Sequence, residues 1–155
     1  GLGTSPVLTG PHARIFSLAA QVLGLLDVSD PIPQIAQRTD GNFLFDISDP
    51  RFSEVQMYFS LHTVAERFRA IGFRGLGGPL DAVVWFHDFS PETGFTGEDN
   101  AFFSPLAFDG GGGLFFYLTA TGGDTAWDTD VAFHEYGHAV VNAFVPGQRQ
   151  GQTFR

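Results

Sequence analysis

The sequence predicts an α+β fold in which a mixed sheet packs against an apolar helix. Three observations predict it. Ser53–Ile71 carries Met57, Leu61, Val64, Phe68 and Ile71 at 4-3-4-3 spacing, which lines one face of a helix. Leu80–His87, Ala101–Phe108 and Leu114–Thr119 are short apolar runs of strand character. Ala126–Phe144 is a second helix-like apolar run, and it contains His134-Glu135-Tyr136-Gly137-His138, an H-E-x-x-H motif.

Residues 1–40 read as an N-terminal arm or linker with a short helix inside it. Gly1–Gly10 is rich in Gly, Thr, Ser and Pro. Ile15, Leu18, Ala19, Val22, Leu25 and Leu26 have helical spacing, while Gly24 leaves paired strands as the alternative. Asp30-Pro31-Ile32-Pro33 forces extended or turn structure. Gly41–Asp46 reads as a turn and then a short strand. Ser53 and Gln56 fit a capping box at the start of the long helix, and Gly72 ends it. His62 lies beside the apolar stripe and reads as structural.

Leu80–His87 is nearly all apolar, as expected of a strand buried on both faces. Ser90–Asn100 reads as a polar loop with Glu92, Glu98 and Asp99 in solvent. Asp109 and four glycines then join two strands as a flexible hairpin connection. That glycine run has no lysine and no following helix, so it is not a phosphate cradle. Asp124, Thr125 or Asp128 is placed to cap the H-E-x-x-H helix. Val131, Ala132, Ala139, Val140, Ala143 and Phe144 predict that this helix is largely buried, and Pro146-Gly147 ends it. Gly137 costs about 1 kcal/mol relative to Ala in a helix interior; close packing against another element is the expected reason for it. Gln148–Arg155 reads as loop.

The chemistry lies in the motif. Residues i and i+4 share a helix face, so His134 and His138 can reach one metal ion. Two neutral imidazoles with a carboxylate at Glu135 suit hydrolysis at Zn²⁺, which acidifies a water whose proton the carboxylate takes. A third ligand is needed, and no Asp, Glu or His follows His138. Three sources are open: a missing C-terminal part, a second chain, or an upstream residue. His87, ending its strand, is the upstream candidate. Val141 and Phe144 stand where a metzincin carries Gly and His, which excludes that class.

Three segments carry a family resemblance: Asp99-Asn100-Ala101-Phe102-Phe103, the run from Gly111 through Asp130 into the H-E-x-x-H helix, and Phe52–His62 continuing to Ile71-Gly72-Phe73. From about Asn42 onward the chain resembles the gluzincin proteases of the thermolysin and fungalysin type. The resemblance implies a zincin-like fold, with residues 41–155 as the N-terminal part of a catalytic domain truncated before its third zinc ligand. It implies a secreted zinc endopeptidase acting on a peptide or protein substrate, with zinc ligands His134 and His138 and general base Glu135. It implies an edge strand whose Asn100 and Ala101 contact the substrate backbone. Asp130 stands where thermolysin-type enzymes place a calcium-linked aspartate, so Ca²⁺ is a second candidate ion. The chain departs from the family at Gly137, commonly Thr, and has no counterpart of the ligand Glu or of the downstream oxyanion-stabilising Tyr or His. An inactive zincin-like peptide-binding module and a non-peptidase metallohydrolase are the alternatives.

Composition narrows the partners. The 155 residues allow one domain with a core, or half of a larger catalytic unit. Apolar residues form 43% of the chain, too many for disorder over most of it, and 18 phenylalanines must fill much of the core. Net charge is −9 and all 8 basic residues are Arg, with no basic stripe, which disfavours nucleic acid as a partner. Cysteine is absent, so no disulfide framework forms. Ile15–Leu26 is too short to span a bilayer.

Overall fold

A computed structural model describes residues 8–19, 43–90 and 92–145. The expected turn at Gly41-Asn42, the Pro-rich segment near residue 31 and the terminal loop lie outside the described residues. The first strand, β1 (Ala13–Ser17), occupies the start of the segment read as helical. Its burial alternates, with Ala13, Ile15 and Ser17 inside and Arg14 exposed, which is the period of a strand. Residues 43–46 are irregular where a short strand was expected.

Helix α1 runs Arg51–Ala70. The expected capping box does not form. Asp49 and Pro50 start the helix earlier, and the Asp49 carboxylate accepts the Arg51 N–H at 3.0 Å. Ser53 therefore lies inside the first turn and makes a tertiary contact instead. Its Oγ accepts the indole N–H of Trp85 at 3.0 Å and that of Trp127 at 2.8 Å. At the other end Gly72, at φ 98°, allows a Schellman closure: Phe73 N–H reaches Phe68 O and Gly72 N–H reaches Arg69 O. The Phe68 and Phe73 rings meet beneath it at 6.0 Å. Met57, Leu61 and Val64 of the predicted stripe are buried, but Ile71, beyond the last turn, is exposed.

The remaining strands are β2 (Leu80–Phe86), β3 (Asp88–Ser90), β4 (Gly94–Thr96), β5 (Ala101–Ser104) and β6 (Gly113–Tyr117). One helical turn, α2 (Ala107–Gly110), precedes β6. The main sheet has the order β1-β2-β6-β5, with β1, β2 and β6 parallel and β5 antiparallel to β6. The fold is thus α+β with a mixed four-stranded sheet. Parallel β1 and β2 need a crossover, and α1 lies within it. Strands β3 and β4 form a separate two-stranded antiparallel pair, and β4 lies inside the segment read as polar loop.

Strand β2 is central, and Leu80–Val84 is buried on both faces as expected. Toward the helices, Ile15, Ala82, Val84, Leu114 and Phe116 meet Met57 and Leu61 of α1. On the other face Arg14 holds Asp81 with two bonds of 2.6 and 2.7 Å, and the rings of Phe86, Phe102, Phe115 and Tyr117 gather. The β5–β6 connection has a defined path through positive φ at Phe108, Asp109, Gly110 and Gly112, which explains the glycines better than flexibility does.

Helix α3 (Thr129–Phe144) carries the motif. Asp128 caps it, accepting from Asp130 N at 2.8 Å and Val131 N at 3.4 Å, while Asp124 caps the preceding 3₁₀ turn, Thr125–Trp127. Ala132, Tyr136, Ala139 and Val140 enter the core, but Phe144 is 71% exposed, so the buried stripe ends a turn early. Gly137 does not pack closely: a Cβ there would meet nothing within 4 Å. No helix among the described residues is long and apolar enough to cross a membrane.

Candidate metal centre

The helix period alone brings the two motif histidines together. His134 Nε2 and His138 Nε2 lie 3.1 Å apart, and both residues are exposed. Two nitrogens sharing one tetrahedral zinc at about 2.0–2.1 Å lie about 3.3 Å apart, so this pair fits such an ion closely. Glu135 completes the cluster, with the three donor atoms within 4.8 Å of one another.

Glu135 differs from its neighbours in environment. It is 7% exposed, held where α3 meets β5. Burial pushes its carboxyl above the usual carboxylate range, opposed by His138, by His134 and by a hydrogen bond from the Phe103 backbone N–H.

Strand β5 is an edge of the sheet, as expected, although it ends at Ser104 and not at Phe108. Tyr117 N–H donates to Asn100 O, so Asn100, Phe102 and Ser104 face β6, and Ala101 and Phe103 direct their backbone groups to the open side. The expected open row is partly taken. Phe103 N–H is turned toward Glu135, and Ala101 N–H is accepted by the Asn100 Oδ1 at 2.9 Å. Fixing Oδ1 in this way leaves the Asn100 amide Nδ2 as a donor for the cleft. The start of the strand is held by Thr125, whose hydroxyl donates to Asn100 O and Tyr117 O at 3.0 and 3.2 Å.

A cleft of about 380 Å³ joins four of the predicted residues: Asn100, Ala101, His134 and Glu135. Sequence reasoning missed Thr125 and Val131 as lining residues and read Asp99 as solvated; all three border the cleft with Asp130. Asp99 was findable, since it adjoins Asn100, whereas Thr125 enters through tertiary contact. The two flanking aspartates make the cleft mouth acidic. A larger apolar groove of about 550 Å³ lies between Phe43–Asp46 and α1, but it contains no histidine and only one carboxylate, Asp46.

The third ligand is not supplied by His87. Its Nδ1 is 2.8 Å from the Trp85 carbonyl, and it is not grouped with His134 and His138. Among the described residues the cluster consists of His134, Glu135 and His138. Comparison with protein-family models, with curated proteins and with solved structures found no match.

Proposed function

We propose that this chain contributes the histidine pair and general base of a zinc-dependent endopeptidase with a zincin-like fold. One observation carries the reading: His134 and the buried Glu135 line one cleft beside a sheet edge, and His138 Nε2 is paired with His134 Nε2 in the same cluster of donor atoms. His134 and His138 would hold the ion through Nε2. Zinc, when bound, supplies an acidified water and polarises a carbonyl.

The chain's own groups account for the rest. Glu135 accepts a proton at its carboxylate as water adds to the scissile carbonyl, and it delivers that proton to the leaving amine as the C–N bond breaks. Its raised affinity for a proton suits both halves of that task. The open side of β5 receives an extended peptide as an added strand, through the Ala101 carbonyl and the Asn100 side-chain amide. Asp99 and Asp130 favour a cationic group at the cleft mouth.

The test is peptide turnover by zinc-loaded protein, wild type against Glu135→Gln. Zinc content should match, while hydrolysis falls by about 10²–10⁴-fold. Equal turnover removes Glu135 from the chemistry. Bound zinc with no wild-type turnover on any of a panel of peptides and esters favours a peptide-binding module; ester cleavage alone favours another metallohydrolase.

A further inference from the structure

We propose that His12, His62 and Glu66 form a second divalent-metal site, which clamps the segment entering β1 onto α1. It lies beside β1, at the opposite edge of the sheet from β5 and the H-E-x-x-H cleft. The three side chains offer donor atoms within 4.8 Å of one another. His62 and Glu66 stand at i and i+4 on α1, the spacing that puts two side chains on one helix face. His12 comes from the chain just before β1, and its backbone is fixed because its carbonyl accepts the Leu80 N–H at 3.0 Å.

The local chemistry favours a metal over a simple ion pair. His12 Nε2 and Glu66 Oε1 approach to 2.6 Å, so one imidazole and the carboxylate already converge. His62 is not explained by that pair. Its Nδ1 is buried and has no hydrogen-bond partner, which is rare for a ring nitrogen shielded from water. Tyr58 stacks on the ring at 6.3 Å with an interplanar angle of 3°, and His12 lies 5.3 Å away, so the ring is oriented by packing. Two imidazoles with one carboxylate select Zn²⁺, Co²⁺ or Ni²⁺ over Mg²⁺ or Ca²⁺. Glu66 is exposed enough to give an ion access, and only Arg69, at 2.9 Å from the same Oε1, competes for it among the described ion pairs.

The experiment isolates this cluster from the H-E-x-x-H pair. His134 and His138 are exposed, so the variant carrying His134→Ala and His138→Ala keeps the fold while losing the other site. Co²⁺ is titrated into that variant and followed by its visible absorption. One equivalent should bind, and Glu66→Gln or His12→Gln added to the same background should abolish it. Zn²⁺ should raise the melting temperature of the first variant and leave that of the Glu66→Gln form unmoved. In wild-type protein the His12 and His62 ring resonances should shift on Zn²⁺ addition. No Co²⁺ uptake by the first variant, uptake unaltered by Glu66→Gln, or unshifted His12 and His62 rings overturns the site. Each of these readings is independent of peptide hydrolysis at His134 and His138.

Discussion

The Asp124 carboxylate accepts the backbone N–H of Trp85 at 3.0 Å and so fixes a non-glycine residue at φ 59°. Strand β2 shifts register between Val83 and Phe86, and Trp85 is the residue that absorbs the shift. Positive φ is costly for a bulky residue. Here it persists because Asp124 holds the N–H while Pro50 and Ser53 hold the indole. The same carboxylate caps the turn leading into α3, so the strand and the entry to the motif helix share one anchor.

That anchor makes stability pH-dependent. Burial pushes the Asp124 carboxyl up to about 7, against hydrogen bonds from Ala126, Ser53 and Trp85. In the unfolded chain it releases its proton near 3.9. Between these values the folded state binds more protons, so stability falls as pH rises. The contribution is complete below about pH 4 and lost through about pH 7, with an upper bound of roughly 4 kcal/mol. Urea midpoints from pH 4 to 8 should decline in wild type and lose that component in Asp124→Asn. Parallel profiles would remove Asp124 as the source.

Ser53 links α1 to both tryptophans. Ser53→Ala leaves the Trp127 indole N–H without its partner, while Trp85 retains the Pro50 carbonyl. The expected loss is about 1–3 kcal/mol. A double-mutant cycle with Trp127→Phe should show coupling of about 1 kcal/mol or more. Independent, additive effects would return Ser53 to a purely local role in the helix.

Gly137 is open to improvement. A Cβ there meets nothing within 4 Å, and no positive φ requires glycine. Gly137→Ala should therefore raise stability by about 1 kcal/mol in chemical denaturation, with zinc content unchanged. A decrease would mean that some other element occupies the space beside the motif.

Asn100 lines the cleft, and Ala101 N–H occupies its side-chain oxygen, which leaves the amide NH2 as its free donor. Asn100→Ala should reduce kcat/KM for peptide hydrolysis by roughly tenfold, the scale of one neutral hydrogen bond. Zinc content should stay the same. An unaltered ratio across peptides of several lengths excludes substrate contact by this side chain.

Local relations were legible and distant ones were not. The pairing of His134 with His138 follows from the helix repeat alone, and so does the burial of Met57, Leu61 and Val64; the end of α1 was marked by Gly72 itself. The edge position of β5 and the arrival of Asn100 in the cleft followed from a family-like pattern, since no local period reports a neighbour so far along the chain. Strand β1 was hidden because its partner is remote: Arg14 pairs with Asp81 across 67 positions. Ser53 satisfied a local capping pattern, but the two indoles outcompeted it. Glu135's contact with the Phe103 amide and the orphaned His62 nitrogen depend on packing, which leaves no periodic mark.

The two tryptophans of this chain donate to one hydroxyl. Tryptophan fluorescence thus has a single structural origin, the seam where α1, the bend of β2 and the approach to α3 meet. Emission wavelength should report water entering that seam and should be deaf to fraying elsewhere. A probe-free stopped-flow trace would then time the parting of α1 from the motif helix, separately from loss of helical ellipticity.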